Sequence, residues 1–448
     1  MVTSITIHVE DTVVSATTTA NPLDHQQMTA PQILVIAIMV ALNALDGFDI
    51  LSISFAAPYI TSDWQISMGT LGIVLSAELF GMGVGSIVLG NLADKIGRRP
   101  LLLLCLIVMT IGMSLASIAS GVSDMLVFRV ITGIGIGGML ASTNAMTAEF
   151  ANAKYRKRAI TIMVAGYPLG VIFGGIAAGA IVHATGDWRH IFLFGACVTA
   201  VMLPIVWFFV PESIEFLNKN QDQTTLEKIN AVLMTLRHKP LNTLPERADT
   251  QAQKSNLSDL FSAQARKTTL LLTVTCFMTM ATFYFVLKWV PKLVQEMGFG
   301  NPGSVLVWAS IGGFFGCILF GTLTQYIATK QLTIVSLILG FIGVVVFGQG
   351  ADDVIRLKAV TAFAGFFTNA AIVGLYTLFA TYFHTAIRAS GTGFALGMGR
   401  AGAFYSPVIA GFLLEWGWSL AVVSIVMGIA FLIGAVLLLL LSNTAEPQ

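Results

Sequence analysis

Gly90-Asn-Leu-Ala-Asp-Lys-Ile-Gly-Arg-Arg99 is a polar stretch at the end of a long apolar run. A weaker copy, Gly321-Thr-Leu-Thr-Gln-Tyr-Ile-Ala-Thr-Lys330, occurs 231 residues later. Individual residues also repeat at nearly the same distance: Arg158 has a counterpart in Arg388, 230 residues further on, and Pro58 has one in Pro291, 233 residues further on. The near-equal offsets indicate that the chain is built from two similar halves.

The composition and the pattern of apolar runs indicate a membrane protein. Hydrophobic residues make up 56% of the 448-residue chain and charged residues only 10%, whereas soluble domains contain about 25% charged residues. Apolar runs of roughly 20 residues, the length that spans a bilayer as a helix, occur six times on each side of a polar interval. They lie at about 33–60, 69–92, 100–120, 123–147, 159–184 and 190–210, and at about 268–290, 304–326, 332–350, 357–381, 389–413 and 418–441. The sequence predicts an all-α membrane protein with twelve transmembrane helices in two six-helix, pseudo-symmetric halves.

The polar segments set the predicted domain boundaries and the orientation. The predicted order is a disordered cytoplasmic tail (1–32), an N-terminal half (33–217), a cytoplasmic linker (218–267) with a surface helix at 226–236, a C-terminal half (268–441) and a cytoplasmic tail (442–448). Of 24 Lys and Arg residues, 17 lie in the loops after even-numbered spans and four in the opposite loops. Because cytoplasmic loops carry the positive excess, both termini are predicted to be cytoplasmic.

Ionisable residues inside the predicted spans mark the candidate functional interior. A charge at the bilayer centre costs about 2.5–3.5 kcal/mol on insertion scales, so these side chains are expected to face protein or an aqueous cavity. Three are acidic and three are basic, which indicates pairing, since an unpaired buried charge is far more costly than a paired one. The sequence leaves the pairs open. The six residues are Asp46, Asp49, Glu78, Arg129, Lys288 and Arg400.

The motifs around these residues resemble those of the major facilitator superfamily. The loop at Gly90–Arg99 matches the family's hallmark, Arg129–Gly137 its fourth-span motif, and Pro211-Glu-Ser213 its sixth-span exit. Within that superfamily, Leu45-Asp-Gly-Phe-Asp49 and Gly397-Met-Gly-Arg400 resemble the signatures of the aromatic acid:proton symporters. The resemblance implies import of an aromatic carboxylate together with a proton.

Two positions depart from the family's patterns. The second copy of the loop has Gln325 where the first has Asp94, so one gating charge is missing. The fifth span, at Gly166–Gly175, lacks the Gly-Pro-x-x-Gly-Gly motif of exporting antiporters. This absence favours uptake over export.

Proton coupling is assigned to Asp46 and Asp49, with Glu78 as a second site. The two aspartates are three residues apart and therefore share one helix face. Burial and mutual repulsion favour the protonated form of one carboxyl in such a pair. The alternatives are that one aspartate pairs with a cation or caps an unwound turn at Gly47, and that Glu78 pairs with Arg129.

Substrate binding is assigned to residues of both halves. Arg400 stands among glycines, and its planar fork matches a carboxylate in two hydrogen bonds; the alternative is a salt bridge to Asp46 or Asp49. Lys288 is a second candidate cation, with snorkelling to the outer interface as its alternative. The remaining candidates are aromatic or polar side chains for stacking or cavity lining, namely Tyr284, Trp289, Asn144 and Tyr376.

Gating is assigned to helix ends at the predicted cytoplasmic face and to one interior arginine. Salt bridges between these ends are expected to hold the two halves together in an outward-open state. The alternative for the basic cluster Lys154–Arg158 is that its positive charges only keep this loop on the cytoplasmic side. The predicted gating residues are Gly90, Asp94, Arg98, Arg99, Arg129, Glu149, Arg158, Glu212 and Arg388.

These features predict a transporter and exclude several other classes. The predicted function is proton symport of an aromatic monocarboxylate by alternating access in a bacterial inner membrane; the alternatives are muconate, a dicarboxylate or, less favoured, drug export. The expected partners are the substrate, the proton and the lipid bilayer, and the protein is expected to work as a monomer. The sequence contains no nucleotide-binding loop, catalytic triad, metal spacing or basic tract, so no enzyme activity, no cofactor other than the proton and no nucleic-acid partner are expected.

Overall fold

The structure is a computed structural model that describes residues 21–219, 223–245, 257–300, 302–384 and 387–441. The described chain is helical, and the prediction of an all-α membrane fold is confirmed. The N-terminal half contains α1 (Ala30–Trp64), α2 (Met68–Ile96), α3 (Arg98–Ala116), α4 (Val122–Phe150), α5 (Arg156–Thr185) and α6 (Arg189–Phe209). The connecting segment contains α7 (Ile214–Leu217), α8 (Gln223–Thr235) and a 3₁₀ turn (Leu257–Phe261). The C-terminal half contains α9 (Arg266–Glu296), α10 (Pro302–Leu323), α11 (Thr329–Gly348), α12 (Val354–Tyr382), α13 (Arg388–Glu415) and α14 (Leu420–Leu439).

Eleven of the helices within the described ranges are long and apolar enough to cross a membrane. The remaining long helix, α13, has 28 residues, which corresponds to about 42 Å at 1.5 Å per residue. Its glycines, serines and Arg400 lower its hydropathy. The length of α13 is sufficient for a span, and the predicted count of twelve spans remains a prediction for this helix.

The N-terminal segment is ordered further towards the start of the chain than predicted. The side chain of Leu23 is only 1% exposed, and Asp24 forms an ion pair with Arg156. Thr29 and Gln32 form a capping box that starts α1 at Ala30. The predicted disordered tail over 1–32 is therefore wrong from residue 21 onward, while residues 1–20 lie outside the described part of the chain.

The segment between the two halves contains the surface helix expected at 226–236, which is present as α8 (Gln223–Thr235). The carbonyl of Leu236, just after α8, accepts a hydrogen bond of 2.8 Å from the hydroxyl of Thr29. His238 contacts Gln32 at 2.9 Å. The connecting segment is thereby attached to the start of α1. The short tail predicted at 442–448 lies beyond the described residues.

Glycines bring neighbouring helices close together within each half. A Cβ at Gly133 of α4 would lie 2.1 Å from the carbonyl oxygen of Glu78 on α2. In the C-terminal half, a Cβ at Gly365 of α12 would lie 2.0 Å from the carbonyl oxygen of Ala309 on α10. Only glycine permits such backbone approach. The second and fourth helices of each half therefore pack in the same way, as a repeat requires.

The two halves meet near one end of the bundle. Gly72 of α2 packs against the carbonyl of Pro407 on α13, and the amide of Gly69 donates a 3.1 Å hydrogen bond to the carboxylate of Glu415. On the other side of this interface, Gly175 of α5 packs against Val307 of α10. We call this end the closed side; the positive-charge distribution predicts it to be extracellular.

Further along the same two helices, α2 and α13 separate. No described atom lies within 4 Å of the position that a Cβ would take at Gly83 or Gly90 of α2, or at Gly393 or Gly397 of α13. The last described hydrogen bond between these helices joins Arg400 to the carbonyl of Met82 at 3.0 Å. We call the end beyond it the open side. The bundle therefore has a closed side and an open side, with the interior charges between them.

Candidate functional site

Glu78 is the centre of a buried triad formed with Arg129 and Lys288. Its Oε2 atom lies 2.5 Å from the guanidinium of Arg129 and 3.2 Å from the ammonium of Lys288. All three side chains are 0% exposed. The backbone approach at Gly133, one turn after Arg129, brings α4 against α2 and places the arginine beside the glutamate. Of the two alternatives for Glu78, the structure contains the pair with Arg129.

Lys288 joins the two halves of the molecule. In addition to Glu78 on α2, its ammonium donates to the carbonyl oxygen of Ile50 on α1. A charged hydrogen bond of this kind is stronger than a neutral one. The side chain is fully buried, so it does not snorkel to the membrane surface in this conformation. Lys288 therefore connects α9 of the C-terminal half to α1 and α2 of the N-terminal half.

Asp49 lies beside Arg129 without a carboxylate–guanidinium contact. The guanidinium donates a 2.7 Å hydrogen bond to the backbone carbonyl of Asp49, and it lies 5.4 Å from the ring of Phe192. Both carboxyl oxygens of Asp49 are buried without a hydrogen-bond partner among the residues that the structure describes. Arg129, predicted as a gating residue, is therefore part of the interior site, and its charge is directed to Glu78.

Asp46 and Arg400 occupy the part of the interior nearer the open side. Asp46 is 2% exposed, and its Oδ1 atom has no hydrogen-bond partner. It lies within electrostatic range of Asp49, Glu78 and Arg400. Arg400 is half-buried and donates to the carbonyl of Met82. Within the described part of the chain, no salt bridge of Arg400 to either aspartate is present. Its guanidinium keeps unused donors.

Aromatic side chains from two helices lie near Arg400. Tyr284 of α9 and Tyr376 of α12 lie within electrostatic range of Arg400. Tyr376 is 41% exposed, and its phenol also lies within electrostatic range of Tyr284. Both residues were predicted from the sequence.

Two other predicted binding residues are used in packing. The indole of Trp289 is 0% exposed and donates a 3.2 Å hydrogen bond to the carbonyl of Pro407, so it fastens α9 to α13. Asn144 donates a 3.0 Å hydrogen bond to the carbonyl of Leu140 within its own helix. The binding roles of both residues remain predictions.

Tyr167 of α5 was not among the predicted site residues. Its hydroxyl is buried without a hydrogen-bond partner, and Asp46, Glu78 and Tyr284 all lie within electrostatic range. The only signal in the sequence is its place in Gly166-Tyr-Pro168, beside a helix-bending proline. Tyrosines are common in apolar spans, so this signal alone does not distinguish a site residue.

The predicted gating residues at the open side form contacts within their own half. Glu212 accepts hydrogen bonds from the amides of Arg98 (2.9 Å) and Arg99 (3.2 Å), and so caps the start of α3 after Gly97. The hydroxyl of Ser213 donates to Glu149.

The arginines of this set also contact their own half. Arg99 lies over the ring of Trp207 at 5.3 Å, and Arg158 lies over Tyr155 at 6.0 Å. Arg388 donates a 3.2 Å hydrogen bond to the carbonyl of Phe383. The side chain of Asp94 lies outside the described residues. Salt bridges between the halves at this face remain a prediction.

Comparison with known proteins identifies the family. The family model described as Major Facilitator Superfamily matches residues 39–360. The chain is 28% identical to a gallate transporter of Pseudomonas putida over 415 residues, which is 91% of each chain. It is also 28% identical to a benzoate transport protein of Acinetobacter baylyi, covering 88% of this chain and 86% of the relative. The fold is similar to that of the E. coli xylose transporter XylE in its inward-open conformation, with a TM-score of 0.75, 16% identity, and coverage of 93% of this chain and 97% of XylE. The chain belongs to the Major Facilitator Superfamily, whose members are membrane transporters and not enzymes.

Proposed function

We propose that this protein imports an aromatic monocarboxylate by symport with protons, through alternating access of a central site. The observation that carries the proposal is Arg400, a half-buried cation at the point where α2 and α13 separate, which has no salt bridge among the described residues. Gallate and benzoate, the substrates that the relatives are named for, share a benzene ring and a carboxylate. A single arginine surrounded by aromatic rings matches that shared chemistry.

Substrate binding is assigned to Arg400 together with Tyr284 and Tyr376. The guanidinium offers parallel N–H donors that fit the two oxygens of a carboxylate. The aromatic side chains nearby offer edges and faces for the ring of the substrate. We infer that the substrate enters from the open side, places its carboxylate on Arg400 and its ring between the tyrosines.

Proton binding is assigned to Asp49, with Asp46 as its neighbour. An ionised carboxylate that is fully buried without hydrogen bonds is very costly, and both carboxyl oxygens of Asp49 are in that situation. We infer that Asp49 carries a proton in this conformation. Exposure of the site on the opposite side, or approach of Arg129, lets it release or take up that proton, which is the requirement for coupling.

The buried triad favours a monocarboxylate over a dicarboxylate as the substrate. A dicarboxylate needs a second free cation near Arg400. Lys288 is engaged with Glu78 and Ile50, and Arg129 with Glu78 and Asp49. Muconate and other dicarboxylates are therefore the less favoured substrates, as are the cationic compounds that drug exporters commonly carry. A bacterial inner membrane, cytoplasmic termini and a monomeric state belong to this proposal.

Uptake into cells that express the protein tests the proposal. We expect accumulation of labelled benzoate or a hydroxybenzoate that stops when a protonophore collapses the proton gradient. Vector-only cells provide the background. Competition by unlabelled gallate, benzoate and muconate in the same assay ranks the substrates. Accumulation that persists without a proton gradient would refute proton coupling, and strong competition by muconate alone would refute the monocarboxylate assignment.

A further inference from the structure

The backbone of Tyr167 is held directly against the acidic turn of α1. A Cβ at Gly47, between Asp46 and Asp49, would lie 2.2 Å from the carbonyl oxygen of Tyr167. Because glycine alone permits this approach, α1 and α5 are in backbone contact at this point. The position of Tyr167 relative to the two aspartates is therefore determined by helix packing and does not depend on a flexible loop.

The hydroxyl of Tyr167 is buried and has no hydrogen-bond partner in the described structure. Buried polar atoms in folded proteins are nearly always satisfied, and an exception calls for an explanation. Tyr284, on α9 of the other half, is its neighbour across the interface between the halves. The two hydroxyls are close enough to interact, but this contact leaves the Tyr167 hydroxyl without a full hydrogen bond among the described residues. A ligand between the halves would supply the missing partner.

The charged and aromatic groups near Tyr167 match the chemistry of a phenolic acid. Tyr284 is within electrostatic range of both Arg400 and Tyr167. Arg400 therefore provides a cation, Tyr284 an aromatic side chain near it, and Tyr167 a hydroxyl next to Tyr284. A tyrosine hydroxyl both donates and accepts, as does a phenol. The three groups suit a ligand with a carboxylate, a ring and a ring hydroxyl.

We propose that the Tyr167 hydroxyl binds a ring hydroxyl of the substrate and thereby selects hydroxylated benzoates over benzoate. This inference rests on the proposed function, because it needs the carboxylate on Arg400. Sites that hydrogen-bond a substrate hydroxyl discriminate against the analogue without it, since the buried group is then left unpaired. For one neutral hydrogen bond we expect about a tenfold preference. The rest of the site binds the carboxylate and the ring that all benzoates share, and Tyr167 binds the ring hydroxyl that distinguishes the hydroxybenzoates.

The test measures uptake kinetics of benzoate, 3-hydroxybenzoate and 4-hydroxybenzoate for wild type and Tyr167→Phe. We expect the KM of at least one hydroxybenzoate to rise about tenfold in the variant, while the KM of benzoate stays the same or falls. Tyr405→Phe is the matched control, since Tyr405 is 51% exposed and packs its ring on Phe404. Benzoate uptake by the variant shows at the same time that it is folded and inserted.

Competition in the wild type gives a second measurement that needs no variant. 4-Methylbenzoate has nearly the shape of 4-hydroxybenzoate without its hydrogen bond, and the 3-substituted pair repeats the comparison. We expect the methyl compound to compete about tenfold less well in at least one of the two pairs. Equal competition in both pairs, or a Tyr167→Phe variant that changes the KM of benzoate and hydroxybenzoates by the same factor, would overturn the role of Tyr167 and leave the proposed transport intact. Absence of transport of all these acids by the wild type would overturn both.

Discussion

Replacing Lys288 by methionine tests whether the buried triad holds the closed side together. The lysine is the member of the triad that crosses between the halves, through Glu78 and the carbonyl of Ile50. Methionine keeps most of the volume and removes the charge. Glu78 retains its 2.5 Å contact with Arg129, so the substitution leaves no uncompensated buried anion.

The expected magnitude follows from the contacts that are lost. Hydrogen bonds to charged groups contribute about 1.5–3 kcal/mol each, and two of them join Lys288 to the N-terminal half. Part of this loss is offset, because the variant no longer has to remove the lysine ammonium from water to form the closed side. We expect a net loss of about 2 kcal/mol from the closed-side contact, which shifts the conformational equilibrium about 30-fold. If about 1% of the molecules are open on this side in the wild type, about a quarter are open in the variant.

The distance between two spin labels measures the equilibrium between molecules that are closed and molecules that are open on this side. Labels at Thr185 and Asp352 in a variant without native cysteines report the closed side, because both positions are exposed, one in each half. We expect one dominant short distance in the wild type and a second, longer distance in Lys288→Met. Lys292→Met is the matched control: Lys292 is one turn away, and its contacts are with Glu296 (2.8 Å) and Gln295 (2.9 Å) of its own helix.

Two outcomes would refute this reasoning. If Lys288→Met leaves the distance distribution unchanged, the cross-half contact contributes little to closure. If Lys292→Met produces the same shift, the effect comes from charge loss or packing in α9 and is not specific to the triad.

Three further predictions concern the site and the packing that supports it. Asp49→Asn is expected to abolish proton-driven accumulation while substrate exchange persists, because the amide cannot carry the proton; counterflow in proteoliposomes checks this, and continued accumulation against a gradient would make the residue structural. Arg400→Lys is expected to raise the KM about tenfold, because it keeps the charge and loses the planar fork; an unchanged KM would contradict the carboxylate contact. Gly47→Val is expected to destabilise the protein by about 1–3 kcal/mol, since even a Cβ at this position would lie 2.2 Å from the carbonyl oxygen of Tyr167. Thermal unfolding in detergent measures the loss of stability. Gly397→Val is the control, because a Cβ at Gly397 meets no described atom of a neighbouring helix within 4 Å.

Much of the fold was predictable because membrane insertion acts on local composition. Each span must be apolar over its whole length, so hydropathy alone locates helices such as α9 and α14. The helix α13 is an exception, because its glycines, its serines and Arg400 lower its hydropathy. The wrong prediction at residues 21–32 has a similar cause. Polar composition predicts disorder, but the buried side chain of Leu23 and the capping of α1 by Thr29 depend on neighbours distant in sequence.

The interior charges could be located without a structure, because the cost of placing a charge in lipid depends only on the span that carries it. Their pairing depends on how the helices pack against one another. Glu78 pairs with Arg129 from its own half and with Lys288 from the other, while Arg400 has no salt bridge among the described residues. Tyr167 was missed for the same reason. Whether the Tyr167 hydroxyl has a hydrogen-bond partner depends on atoms of α1 and α9. Those helices are distant in sequence, so the residues next to Tyr167 do not predict which atoms surround it.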